Sequence, residues 1–242
     1  MLIIPAVDIR GGKVVRLSGG DFGKETVYYD DPVQAGKRWE KEGAAFLHIV
    51  DLDGAREGEP RNFEVVSSII SNISIPAEVG GGIRSRKTIR KFLQTGAKQV
   101  ILGTEACNAP GFIRELLSEF DEKIAVSIDS CDGLVATQGW KNVTSKSAIE
   151  LIKELESFGV KSIIWTDIKR DGLMGGIDVK RVEEILKVTL HPITVAGGVS
   201  SIEDILRLKE LHGIGGIIIG KALYTGAIQL KEAMEIGGRG FG

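Results

Sequence analysis

The sequence predicts an α/β protein folded as a closed (β/α)8 TIM barrel. Three observations predict it: eight short apolar runs, helical segments between them, and a glycine-rich pattern written twice. The runs are near-continuous in Ile, Val and Leu rather than alternating, as expected of parallel strands covered outside and packed inside. In order they are LIIPAVD (Leu2 to Asp8), AFLHIVD (Ala45 to Asp51), IPAEVG (Ile75 to Gly80), QVILG (Gln99 to Gly103), IAVSID (Ile124 to Asp129), SIIWTD (Ser162 to Asp167), PITVAG (Pro192 to Gly197) and GIIIG (Gly216 to Gly220). The segments DPVQAGKRWEKEG (Asp31 to Gly43) and TSKSAIELIKELESFG (Thr144 to Gly159) have helical spacing, begin on a capping residue and end in glycine. Strands alternating with helices give a ring, or less readily an open doubly wound sheet.

The repeat favours the ring. Asp8 and Asp129 share a context 121 residues apart, Asp51 and Asp167 lie 116 apart, Gly81 and Gly82 map onto Gly197 and Gly198 at 116, and Gly103 maps onto Gly220 at 117. Strands one to four therefore match strands five to eight. The expectation is one domain spanning residues 1–242, made of half-barrels of approximately 1–120 and 121–242.

Composition narrows the functional classes. Hydrophobic residues make up 43% of the 242 and charged residues 26%, ordinary for a globular chain. With 31 basic against 33 acidic residues the net charge is -2, so no basic field advertises a nucleic-acid partner. The first residues carry no basic leader and no run reaches the length of a membrane span, so a cytoplasmic protein is expected. Cys107 and Cys131 have no CxxC spacing and read as structural thiols. The three histidines, His48, His191 and His212, are scattered without metal-binding spacing, so no metal is expected; His48 reads as a core histidine of the second strand.

In such a barrel, functional groups gather at the C-terminal ends of strands, where glycines let backbone N–H groups approach a phosphate and a following helix N-terminus adds its dipole. Gly197 and Gly198, with Gly220 and Lys221, end the last two strands. Gly81, Gly82 and Arg84, with Gly103 and Thr104, end the third and fourth. Two phosphate sites on opposite rims follow, although each glycine pair alone would also serve a tight turn. Asp8 and Asp129 end diametrically opposite strands between those sites, and two carboxylates in different environments can act as acid and base. Thr166 ends the sixth strand, and Asp171 follows as a second acid candidate. Trp140 is placed to stack on a planar base or to cover the core. The loops Ser18 to Thr26 and Ser130 to Asn142 each follow a strand bearing one of these aspartates and are candidates to close over a ligand.

IIPAVDIRGGKVVRL (Ile3 to Leu17), TVYYDDP (Thr26 to Pro32), LHIVDLDGA (Leu47 to Ala55), VGGGIRS (Val79 to Ser85), WTDIKRDG (Trp165 to Gly172) and VAGGVSS (Val195 to Ser201) occur in order over nearly the whole chain. Together they resemble the histidine-biosynthesis sugar isomerases, the phosphoribosylformimino-5-aminoimidazole carboxamide ribotide isomerase family. The resemblance implies an Amadori rearrangement without metal or organic cofactor, on a small-molecule ribotide with two phosphates. It also implies Asp8 as base, Asp129 as the acid that opens the ribose, assistance from Thr166 and Asp171 with Asp171 the alternative acid, and Arg16 among the binding residues. Where the family commonly has glutamine before GD, threonine after RDG and arginine after the last-strand glycine, this chain has Gly19, Leu173 and Lys221. A monomer is expected.

The closest rival is the cyclase subunit of imidazole glycerol phosphate synthase, a barrel of similar plan. Its strand-one context resembles CLDV followed by a lysine-bearing loop, unlike PAVDIRGG here. A bifunctional isomerase that also takes phosphoribosyl anthranilate and a phosphosugar-binding barrel without turnover are the other readings.

Overall fold

The computed structural model describes residues 1–103 and 109–238, and everything below concerns those residues. Its strands are β1 (Leu2–Arg10), β2 (Lys13–Ser18), β3 (Asp21–Tyr29), β4 (Leu47–Asp51), β5 (Ala77–Gly80), β6 (Gln99–Leu102), β7 (Ile124–Cys131), β8 (Leu134–Thr137), β9 (Asn142–Ser147), β10 (Ile163–Asp167), β11 (Ile193–Ala196) and β12 (Ile214–Ile219). The helices are α1 (Pro32–Lys41), α2 (Leu52–Glu57), α3 (Phe63–Ser71), α4 (Arg86–Gln94), α5 (Pro110–Phe120), α6 (Ala148–Ser157), α7 (Val179–Leu186), α8 (Ile202–Lys209), α9 (Lys221–Tyr224) and α10 (Leu230–Gly237). Eight strands pair in parallel in the order β1, β4, β5, β6, β7, β10, β11, β12, and β12 returns to β1. The ring is closed, as the apolar runs required.

Alternation along each strand sorts side chains into two cores. Leu2, Ile4 and Ala6 of β1 fill the barrel interior with Phe46, Ile101, Ala125, Ile164, Ala196 and Ile218. The other parity, including Ile3, Val7, Ile49, Val79, Val126 and Val195, meets the helices, where Trp39, Ile69, Ile89 and Phe92 are fully buried. Asp8 continues the inward parity of Leu2, Ile4 and Ala6 one step beyond the apolar layer. Asp129 does the same after Ala125 and Ser127. The sequence thus changes from apolar to acidic where the interior opens at the C-terminal rim.

The structure corrects three local expectations. Residues 13–29, part of which was expected as the loop Ser18 to Thr26, form the antiparallel hairpin β2–β3, joined to β1 by Asp8 opposite Val15. The span Ser130 to Asn142 is largely a second sheet extension, in which β8 pairs with the end of β7 and with β9. Helix α6 starts after Ser147 rather than Thr144, because residues 142–147 belong to β9; Ser147 and Glu150 form the capping box that sets the start.

Candidate functional site

One cleft opens at the C-terminal ends of the strands. Its lining includes Asp8 and Arg16, Gly81 to Arg84, Gly103, Asp129, Trp140, Thr166 and Asp171. A smaller pocket adjoins it, lined by Gly172, Gly197, Gly198, Gly220 and Lys221, and shares Arg16, Asp171 and Ile218 with it. In the ring β1 stands opposite β7, and the β5/β6 pair opposite β11/β12. The structure therefore gathers every residue expected at the site except Thr104, which lies outside the described residues.

The two glycine-lined ends are built alike. Gly81 has φ +105° and a β-carbon there would lie 2.1 Å from the Asp51 carbonyl oxygen; Gly197 has φ +87° and a β-carbon would lie 2.4 Å from the Asp167 carbonyl oxygen. Only glycine allows the chain to turn out of the sheet this close to its neighbouring strand. Gly103 is different: a β-carbon there would meet nothing within 4 Å, so packing does not demand its small size.

The expected contribution of helix N-termini needs correction. α4 and α8 begin several residues beyond their glycines, and their first turns are capped internally. Ser85 Oγ accepts from the Thr88 amide, and Ser201 Oγ from the Asp204 amide, while the Asp204 carboxylate accepts from Ser200 and Ser201. An anion beside Gly81 and Gly82 or beside Gly197 and Gly198 would meet loop amides and side-chain cations rather than the free ends of α4 and α8, whereas α9 begins directly at Lys221 after Gly220 with no side-chain cap.

Arg16 is the central cation. It is 7% exposed, its Nη1 donates to Asp8 Oδ2 at 2.7 Å, and its guanidinium lies over Gly220, where a β-carbon would come within 1.8 Å of Nη2. Its Nε–H is buried without an acceptor. An unmet buried donor costs of the order of 1–3 kcal/mol, and an anionic oxygen at the β11/β12 end would satisfy it. At the other end, the Arg84 guanidinium packs against Gly58.

The carboxylates differ in their surroundings. Asp8 faces Arg16. Asp129 receives two hydrogen bonds, from Ser127 Oγ to Oδ1 at 3.0 Å and from Trp140 Nε1 to Oδ2 at 2.8 Å. Asp171 stands in the loop after β10. Burial lifts its carboxyl from the ordinary 3.8 to about 6; Arg16 opposes the rise, and the charges of Asp8 and Asp129 add to it. Thr166 stands beside Asp129 in the β7–β10 ladder, 8% exposed.

Trp140 spans the mouth. Besides donating to Asp129, its ring covers Gly20 at the tip of the first hairpin, where a β-carbon would lie 2.2 Å from Cε3. The two hairpins thus meet over the carboxylates. In a Trp140→Phe variant the ring contact survives and the donor is lost. We expect kcat to fall about tenfold, in line with loss of a hydrogen bond to a charged group, with a thermal midpoint close to that of the parent. Steady-state kinetics and a melting curve check both.

His48 corrects the sequence reading. Its side chain lines the cleft rather than the apolar core, with Nδ1 2.6 Å from Glu78 Oε1. The two are register neighbours on β4 and β5, and Glu78 is 4% exposed. The missed signal was parity: His48 follows inward-facing Phe46 by two positions, as Asp8 follows Ala6. Phe22 is a second residue that went unpredicted. It lies on the cleft wall with the Arg10 and Arg56 guanidinium carbons 5.1 and 5.3 Å from its ring centroid. No group of three or more His, Cys, Asp or Glu side chains among the described residues is arranged to hold a metal ion. No helix among them is long and apolar enough to cross a membrane.

Fold and cleft together define a (β/α)8 barrel enzyme class: a ring with a carboxylate centre between two glycine-lined ends. The chain belongs to the histidine biosynthesis protein family, whose model matches residues 2–229. It is similar to 1-(5-phosphoribosyl)-5-((5-phosphoribosylamino)methylideneamino)imidazole-4-carboxamide isomerases over essentially their whole length. The relative from Thermoanaerobacter pseudethanolicus is 45% identical over 236 residues, covering 98% of this chain and 99% of its own. That from Syntrophotalea carbinolica is 47% identical over 238 residues, with 98% of each chain covered. That from Synechocystis is 45% identical over 242 residues, covering 99% of this chain and 94% of its own.

Proposed function

We propose that the protein is an aldose-ketose isomerase of histidine biosynthesis. It converts the bis-phosphorylated aminoaldose ribotide to the corresponding aminoketose by an Amadori rearrangement. The observation that carries this reading is the placement of Asp8, Asp129 and Asp171 in one cleft between two glycine-lined ends. A ligand with a phosphate at each end would lie across the mouth with its reacting ribose over the carboxylates. The names of the relatives favour this activity over the cyclase and over a barrel without turnover.

In the proposed route Asp171, whose pKa is raised by burial to about 6, gives its proton, when it carries one, to the ribose ring oxygen as the C1–O bond breaks and the imine forms. Asp8 removes the proton from C2. The electron pair left at C2 moves toward the imine to give an enolamine, which becomes the ketose when Asp8 returns the proton to C1 and the C2 hydroxyl gives up its own, restoring the proton Asp171 donated. C2 is oxidised and C1 reduced within one molecule, so no external oxidant or reductant enters. Arg16 fixes the base in place by its ion pair. We assign Asp129 an orienting role, because both of its oxygens already act as acceptors from Ser127 and Trp140. Gly81, Gly82, Arg84 and Gly103 receive one phosphate in this reading; Arg16, Gly197, Gly198, Gly220 and Lys221 receive the other.

Because the ring closes within one chain, we read the enzyme as a single-domain monomer; separately, we propose that it acts in the cytoplasm. The test of function is turnover of the aminoaldose ribotide by purified protein, with phosphoribosyl anthranilate in parallel. Conversion of the first alone supports the dedicated isomerase and conversion of both the bifunctional form; conversion of neither removes the proposal.

A further inference from the structure

Lys221 follows Gly220 at the end of β12 and is the second cation, with Arg16, on the smaller pocket. Its ammonium is held by Ser18 Oγ at 3.0 Å and by the Gly172 carbonyl at 2.8 Å. Ser18 ends β2 at the tip of the first hairpin, and Gly172 directly follows Asp171. A second tie runs in parallel: the Gly19 amide donates to the Asp171 carbonyl at 3.1 Å. Gly172 presses so closely on the hairpin that a β-carbon there would lie 2.3 Å from the Leu17 carbonyl oxygen, and Leu173 lies over Gly19, 3.6 Å from where its β-carbon would be. Lys221 therefore joins three things that are far apart in sequence: the pocket at the β11/β12 end, the hairpin tip, and the segment that carries Asp171.

We propose that Lys221 is a positioning residue that couples an anion at the β11/β12 end to the placement of the Asp171 carboxyl. An ammonium has three N–H donors. Two are spent on Ser18 and Gly172, and the third is directed to a phosphate oxygen. The anion fixes the ammonium, and the ammonium then holds the hairpin tip and residues 171–172 against each other. Binding at a remote, unreacting group is thereby spent on orienting the acid, which appears in kcat as well as KM. The chemical consequence rests on the isomerase reading above; the coupling itself does not.

Two measurements separate them. With inorganic phosphate as probe, exchange of the Gly19 amide is expected to slow by roughly fivefold or more in the parent protein and to stay unchanged in Lys221→Met. Equal phosphate responses in the two proteins would overturn the coupling whether or not the protein is an isomerase. In turnover of the aminoaldose ribotide, Lys221→Met should lower kcat roughly tenfold or more, and Ser18→Ala should lower kcat with little change in KM. Added to Asp171→Asn, Lys221→Met should cost no further kcat, because the group it positions is already gone. A rise in KM at unchanged kcat, or a full additional loss in the double variant, would make Lys221 a simple phosphate ligand and overturn the proposal. Absence of turnover in the parent protein would instead count against the isomerase reading and leave the exchange result to decide the coupling.

Discussion

An Asp8→Asn variant is expected to turn over the aminoaldose about a thousandfold more slowly than the parent, the scale on which a well-placed general base contributes. The amide matches the carboxylate in shape and can still accept from Arg16, so β1 and its pairing with β2 and β4 should persist. Arg16 would keep its charge with its ionic partner gone, in a site where it is 7% exposed. A loss of stability follows, up to about 3–5 kcal/mol, the cost of leaving one partner of a buried ion pair uncompensated. The same unpaired charge makes the cleft a better host for anions. Binding of inorganic phosphate should therefore be at least as tight as in the parent, which distinguishes a chemical lesion from a misfolded protein. Activity within tenfold of the parent would remove Asp8 from the mechanism.

Asp171→Asn should also slow turnover sharply while leaving a measurable rate, but with the opposite effect on stability. The carboxyl titrates at about 6 in the folded chain against an ordinary 3.8, so the folded state binds more protons than the unfolded state between those values. Its contribution to stability is fully present below about pH 3.8 and is lost as pH rises through 6. At neutral pH the parent thus carries a penalty for ionising Asp171 in the cleft, and the asparagine variant does not. A gain of the order of 1 kcal/mol is expected in the variant at pH 7.5 and none near pH 3.5. Denaturant unfolding at the two pH values checks the sign; a variant less stable at pH 7.5 would contradict the assignment. In the parent, kcat/KM should fall as pH rises through about 6, where the acid loses its proton. The negative charge of a bound bis-phosphorylated substrate disfavours that ionisation, so the corresponding limb of kcat should lie at higher pH.

The ring was legible in the sequence because strands buried on both faces must be apolar throughout, and eight such runs stand out from helices with mixed composition. The hairpins were not. β3 is mostly exposed and glycine-bearing, and its pairing with β2 is interrupted by register shifts, so DFGKETVYY shows neither an apolar run nor clean alternation. Helix α6 was placed too early for a related reason: TSKS is polar and can cap a helix, and only its pairing with β8 makes it a strand. At the site, Asp8 and Asp129 were legible because a charge closing an apolar strand is conspicuous. Asp171 remained one candidate among turn residues, since RDG also spells a turn; what sets it apart is burial by the hairpin tip and the nearby charges of Asp8 and Asp129. His48 was hidden by its apolar neighbours, although the two-residue period placed it inside. Arg16 was expected to bind substrate, but its ion pair to Asp8 depends on a hairpin that the sequence did not reveal.

Asp8 lies at a junction of three strands, opposite Val15 of β2 on one side and Val50 of β4 on the other. Its backbone is woven into the ring itself, whereas Asp171 hangs from a loop tied down by a few side-chain and backbone contacts. The two groups therefore belong to different cooperative units of the molecule. Opening that releases the base requires the barrel to come apart; opening that releases the acid requires only the loop to lift. On gentle warming or in dilute denaturant, catalysis should fade while circular dichroism still reports an intact barrel, and the fading should track the acid alone.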